Sequence, residues 1–245
     1  MLMLTTFAAA LALAASSKQL HAIEASVQID ESGKIVALEW SHPEQVDAKL
    51  SAYIKPLAMA VAFEPAKKNG VPAQTEVALN VIVESSAAGA ENSQASVRFV
   101  TLEKAAPSMS NEHRPRVVYP TSLAASGTSG YVVLMATIGA DGYPIERSIQ
   151  LDGDTRREDA YKVKDFFRAA KRQLVKQKFE RLEKVAGVVV PVQLRVPYTF
   201  CSGDCEAIEA KVAEVRAQQV AIPTPESSVE LASIKPAPAK GLKGS

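Results

Sequence analysis

The sequence predicts an α+β fold made of two small antiparallel-sheet modules of β-β-α-β type, the second preceded by a short helix. Two observations carry this. Runs of alternating apolar and polar residues, the pattern of half-buried strands, are broken by glycine turns, and each hairpin is followed by a stretch of helical apolar spacing and a further strand. The turns Ile29-Asp30-Glu31-Ser32-Gly33 and Ile138-Gly139-Ala140-Asp141-Gly142 each place an isoleucine four residues ahead of a glycine able to take positive φ.

The elements follow in order. Met1 to Ala15 are apolar apart from Thr5 and Thr6, too short a run to span a bilayer, which takes about 20 residues. Ala12-Leu13-Ala14 and Ala22 offer small-residue cleavage sites, so residues 1–22 read as a signal peptide cut after Ala14 to Ala22, although no lysine or arginine precedes Lys18. The protein is then expected in the periplasm.

Residues 23–104 form the first module, with strands Ile23–Ile29 and Ile35–Trp40. A helix entered at Pro43 and Glu44 carries Val46, Leu50, Tyr53, Leu57 and Val61 on its expected core face, and Pro56 should kink or split it. Trp40 and Tyr53 are expected to fill this core. Ala95–Leu102 reads as an additional strand, and residues 105–114 as a polar linker.

Residues 115–205 form the second module, with strands Tyr131–Ile138 and Ile145–Leu151. Its helix, Glu158–Gln177, is capped by Asp154 or Thr155 and is striped by Val163, Phe167, Ala170 and Leu174 beside Phe166. Both modules then pass a phenylalanine–glutamate pair, Phe63-Glu64 or Phe179-Glu180, on the way to a glycine, Gly70 or Gly187, and a final strand. Residues 206–220 suit a short helix, and residues 221–245, with Pro223, Pro225, Pro236 and Pro238, a disordered tail.

The two cysteines, Cys201 and Cys205, close a small loop. Export permits a disulfide, with free thiols the alternative; a thioredoxin-like site needs a spacing one residue shorter.

Residues Pro115 to Phe200 resemble the TonB C-terminal domain family. The resemblance is carried by Tyr119-Pro120, Leu123, Gly127 and Gly130, Tyr131-Val132-Val133, Asp141-Gly142, the long helix, Phe179, Gly187 and the closing Tyr198-Thr199-Phe200. Ile23 to Glu84 look like a shorter relative of the same unit. The resemblance implies a domain that grips a peptide of an outer-membrane transporter by strand addition at a sheet edge and catalyses nothing. An envelope adaptor or structural protein without energy transduction is the alternative, because no long proline-rich spacer precedes the domain and the proline-rich stretch comes last.

In the last strand, Val190, Val192, Leu194, Val196, Tyr198 and Phe200 alternate with Val189, Pro191, Gln193, Arg195, Pro197 and Thr199, so the even set should face the core. Pro191 and Pro197 withdraw their donors from one flank. They either blunt that edge against aggregation, or leave Val189–Arg195 to accept a partner strand, with Gln193 supplying a donor between them. The candidate partner-binding residues are therefore Arg116, Val118, Tyr119, Val189, Gln193 and Arg195.

The 28 basic and 27 acidic residues cancel, so no global field draws in nucleic acid. Locally, Arg156 to Lys184 holds eleven basic and five acidic residues, a solvated helix face or a contact for peptidoglycan through Lys164, Arg168, Lys171 and Arg172. No nucleophile elbow, zinc helix or phosphate loop is present. His42 and His113 lie beside no candidate nucleophile, so no catalytic, cofactor or metal site is assigned.

Overall fold

The first hairpin shows how the sequence fixes the frame. The Asp30 carboxylate accepts hydrogen bonds from the Ser32 amide, the Ser32 hydroxyl and the Lys34 amide at 2.9, 2.7 and 3.0 Å. These bonds, that of the Ser32 hydroxyl foremost, hold its pKa below the ordinary value. Gly33 and Gly142 both sit at φ +83°, and their carbonyls accept from the amides of Phe63 and Phe179, each at 2.8 Å. A Cβ at either glycine would lie 2.0 Å from the Phe63 carbonyl oxygen or 2.6 Å from that of Phe179, so backbone approach as well as φ demands glycine.

This computed structural model describes residues 18–86, 96–110, 117–154, 160–203, 205–218, 221–224 and 228–235. Residues 1–17 of the expected signal segment, Arg116, Thr155 and residues 236–245 lie outside them. The first half holds β1 (Lys18–Ile29), β2 (Ile35–Trp40), α1 (Ala48–Met59), β3 (Phe63–Glu64), β4 (Lys67–Lys68), β5 (Val71–Pro72), β6 (Thr75–Ser86) and β7 (Ser96–Lys104). Then come β8 (Ser108–Met109) and α2 (Thr121–Ala124). The second half holds β9 (Gly130–Ile138), β10 (Gln150–Asp154), α3 (Ala160–Leu174), β11 (Phe179–Glu180), β12 (Lys184–Val185), β13 (Val188–Val189) and β14 (Val192–Phe200). The chain closes with α4 (Glu206–Ala217), β15 (Ile222–Pro223), β16 (Val229–Glu230) and β17 (Ser233–Ile234).

The result is a mixed α+β fold of antiparallel sheets with few helices. One sheet runs β13-β12-β6-β1-β2, with β7 also on β6, and another runs β10-β9-β14-β15. Each has its own core. Ile54 and Ala58 of α1 join Val27, Leu38, Leu79 and Val81 in the first; Phe166, Ala170 and Leu174 of α3 join Val132, Leu134, Leu194 and Val196 in the second. The alternation read in the last strand holds, since Val190, Val192, Leu194, Val196, Tyr198 and Phe200 are all buried. Truncating one such side chain to alanine costs about 2–5 kcal/mol. Val133 and Pro197, opposite each other, and Val212 of α4 are also buried, and α4 packs on β14 and β9. Period two puts Val133 and Pro197 on the sheet face away from Leu134 and Leu194, so α4 covers that second face.

Several expectations are corrected. α1 runs unbroken through Pro56, which lies in its last turn, where only the bond to the Ala52 carbonyl is forfeited. It starts from Asp47, whose carboxylate accepts from the Leu50 amide at 2.8 Å, and Pro43–Gln45 form a separate 3-10 turn. Its buried face is Ile54 and Ala58, flanked by Leu50, while Tyr53 and Leu57 are 49% and 39% exposed. Two apolar stripes compete on this helix, and the one with the smaller side chains lets it sit closer to the sheet. Trp40 packs at the core's margin, donating from Nε1 to the Ser51 hydroxyl at 2.8 Å.

The strand expected at Ile145–Leu151 begins only at Gln150. Ser148, at the end of a 3-10 turn, takes the ladder position instead, its hydroxyl accepting from the Thr137 amide at 2.8 Å and donating to the Ile145 carbonyl at 2.6 Å. The linker is not featureless, since β8 pairs with β11. Nor is the tail wholly irregular: residues 221–224 and 228–235 supply β15, β16 and β17, because Ala221, Val229, Leu231 and Ile234 pack against the cores and two-residue strands tolerate neighbouring prolines.

Candidate partner-binding edge

β14 pairs with β9 over its full length, from Val192 opposite Ile138 to Phe200 opposite Gly130. Backbone polar groups alternate between flanks, so those of Pro191, Gln193, Arg195 and Pro197 point away from β9. The Pro191 carbonyl does so, accepting from the Thr224 amide at 3.3 Å. That outer flank is not open at its start: β15 lies antiparallel along it, Ile222 opposite Gln193 and Pro223 opposite Val192. The expected free edge at Val189–Arg195 is thus corrected, because the chain's own tail supplies the neighbouring strand.

The candidate residues fall into two groups at opposite ends of this strand. Val189 lies in the β12–β13 hairpin opposite Lys184, Gln193 faces β15, and Arg195 Nε donates to Asp152 Oδ2 at 2.6 Å. Tyr119 stands at the far end. Its ring meets Phe166 and Phe200 edge-on at 6.0 and 5.8 Å, its hydroxyl donates to the Thr128 carbonyl, and burial raises its pKa. Phe200 lies seven positions beyond Gln193, roughly 23 Å along a strand. Val118, beside Tyr119, is 70% exposed. Arg116 lies outside the described residues.

What the sequence reading missed is that other short edges are completed in the same way. β8 lies on β11, with Met109 opposite Phe179, and β17 lies on β3, with Ile234 opposite Phe63. The next residue repeats the match: the Ser110 amide donates to the Lys178 carbonyl at 2.8 Å, and the Lys235 amide to the Ala62 carbonyl at 3.1 Å. Each half therefore lends a segment C-terminal to its own strands to the phenylalanine–glutamate strand of the other. β16 lies on β4, with Glu230 opposite Lys67. Their side chains pair at 2.8 Å, and hydrogen bonding to Glu230 raises the Lys67 pKa. No local signal was available: Val229-Glu230-Leu231-Ala232-Ser233-Ile234 does not alternate, and its strands are only two residues long.

A buried ion pair fastens the tail. The Glu183 carboxylate pairs with Lys104 and accepts from the Ala232 amide at 2.8 Å, while Lys104 Nζ donates to the Ala232 carbonyl at 3.2 Å. Beside it lies a cavity of about 440 Å³, lined largely by apolar groups including Leu182, Val192, Pro223, Leu231 and Ile234.

Cys201 and Cys205 are at disulfide-bonding distance, their Cα atoms 5.9 Å apart. On the basic stretch, Arg168 pairs with Asp165 at 3.5 Å and Lys171 with Glu146 at 3.7 Å, so part of its charge is answered within the protein. Compared with family models, curated proteins and solved structures, the chain matches none.

Proposed function

We propose that this chain is an envelope protein-binding module, related to the TonB C-terminal domain, that takes extended segments of a partner by strand addition. The observation that carries this reading is the way four edges are finished. β3, β4, β11 and β14 each gain a two-residue strand, from β17, β16, β8 and β15, that belongs to a distant part of the chain. Backbone pairing at a short edge is the physics by which sheets capture peptides, and it asks little of the ligand's side chains. The reading places the protein in the periplasm, with an outer-membrane transporter peptide as partner and no catalytic step. Contact would begin at exposed positions near the two ends of β14, Val118 and Val188, which are 70% and 56% exposed.

A second reading, an adaptor whose tail ties its two halves together, is favoured by the tail pairing with both halves at once. Photo-crosslinking separates the two. A benzophenone side chain at Val118 or Val188 in producing cells should give adducts with an outer-membrane transporter under strand addition. Adducts formed only from positions after Lys235 would favour the adaptor, and no adduct from any of these positions would remove the binding reading.

A further inference from the structure

Two seams join the halves of this molecule, and comparing them shows what the tail replaces. At the first seam β12 lies on β6, with Lys184 opposite Glu76, their side chains pairing at 2.8 Å, and the Ala186 amide donating to the Gln74 carbonyl at 2.8 Å. β12 of the second half corresponds to β4 of the first, and β14 to β6. The correspondence rests on bonds as well as order: the Ala73 amide donates to the Ala66 carbonyl and the Val190 amide to the Glu183 carbonyl, both at 2.9 Å, and Gly70 and Gly187 share φ values of +77° and +76°. Lys67 is then the counterpart of Lys184, and Gln193 that of Glu76.

At the second seam these counterparts are not paired with each other, because the tail stands between them. β15 takes the edge of β14, and β16 that of β4. The Asn69 amide, counterpart of that of Ala186, donates to the Ser228 carbonyl at 2.8 Å. Glu230 gives Lys67 the carboxylate that Glu76 gives Lys184, at a seam where the second half offers only Gln193.

We propose that the β3–β4 edge is a strand-addition site for an extended partner segment carrying a carboxylate opposite Lys67 and a residue other than proline at the place of Ala232. Val229–Ile234 is the chain's own occupant of that site, and the partner displaces it. This assignment rests on the strand-addition reading and specifies its ligand. Three features set the ligand's chemistry. The ladder to Phe63–Glu64 and Lys67–Lys68 fixes an extended backbone. The Lys67 ammonium selects a negative charge, as opposite charges across a ladder favour pairing and like charges oppose it. Glu183 and Lys104 grip both backbone polar groups of Ala232, so the residue at that place must offer a free N–H as well as a carbonyl, which excludes proline. From Val229 to Ile234 only Ala232 is buried, Val229, Leu231 and Ile234 packing partly against the core, so a partner segment has few enclosed side chains to match.

The test is a charge exchange on the full chain, with labelled synthetic peptides spanning residues 228–235 and anisotropy as readout. Glu230→Lys sets like charges opposite Lys67 and frees the site, so this variant should bind the natural peptide about tenfold more tightly than the unaltered chain does. Lys67→Glu should prefer, by a similar factor, a peptide carrying lysine at the Glu230 position. Hydrogen exchange at the Asn69 and Lys235 amides reports whether the tail has left. Amides that stay protected in Glu230→Lys overturn the charge rule, and freed amides without peptide binding overturn the site. If the peptides fail while transporter adducts still form at Val118 or Val188, this assignment falls and strand addition survives. Loss of both removes the parent reading.

Discussion

Replacing Lys104 by methionine tests whether the tail is fastened as described. The Glu183 side chain is 3% exposed and that of Lys104 33%, so the substitution strands a carboxylate that water barely reaches. Removing one partner of a buried pair costs about 3–5 kcal/mol. The partial exposure of the lysine and the surviving bond from the Ala232 amide put the expected loss at the lower end, about 3 kcal/mol. In urea this is a downward shift of the midpoint by roughly 1–2 M. Glu183→Gln keeps an acceptor for the Ala232 amide and should cost less, about 1–2 kcal/mol. The double variant should be less destabilised than the sum of the two by more than about 1 kcal/mol, since its members share one interaction. A Lys104→Met loss below about 1 kcal/mol, or additive effects, would mean that this pair does not fasten the tail.

Three further outcomes can be checked on the same urea curves. Gly33→Ala and Gly142→Ala should each destabilise by more than about 2 kcal/mol, since both residues sit at φ +83° against a carbonyl oxygen; losses near zero would mean that these turns relax freely. Asp30, whose pKa is lowered chiefly by the Ser32 hydroxyl, contributes stability that is present above the ordinary carboxylate value and lost as pH falls through its lowered one. The unaltered protein should therefore lose more stability between pH 7 and pH 2.5 than Asp30→Ala does; parallel curves would contradict this. Gln173, 5% exposed, has no partner for its buried side-chain Nε2 among the described residues, so Gln173→Met should stabilise by about 1 kcal/mol, and a net loss would reveal a bond unaccounted for.

The parts of the fold that the sequence made legible are those where one residue type has few alternatives. Gly33 and Gly142 announced their hairpins because no other residue meets both the φ and the approach of a carbonyl. The alternation from Val190 to Phe200 announced β14 because each even side chain is buried. Legibility fails where local preferences tie. On α1, Leu50 belongs to two stripes, and the choice of Ile54 and Ala58 over Tyr53 and Leu57 depends on how closely the sheet approaches, which no local pattern states. It fails again where strands are two residues long: Ser108–Met109 and Ser233–Ile234 lack the length for alternation to register, and their partners lie far away in sequence. Of the candidate site, Gln193 was read as lying on an edge and does so, but what fills that edge was hidden in a tail whose prolines suggested disorder.

Short sheet edges in this protein are completed by segments from elsewhere in the same chain. Amide hydrogen exchange on the full-length protein tests it most directly, read at Asn69, Ser110, Ala232 and Lys235, whose N–H groups bond to the Ser228, Lys178, Glu183 and Ala62 acceptors. All four should exchange well below the rate of an open chain, and Glu230→Lys should speed Asn69, Ala232 and Lys235 while leaving Ser110, on the β8–β11 edge, unchanged. Open-chain exchange at these amides beside protected amides in β9 and β14 would contradict it.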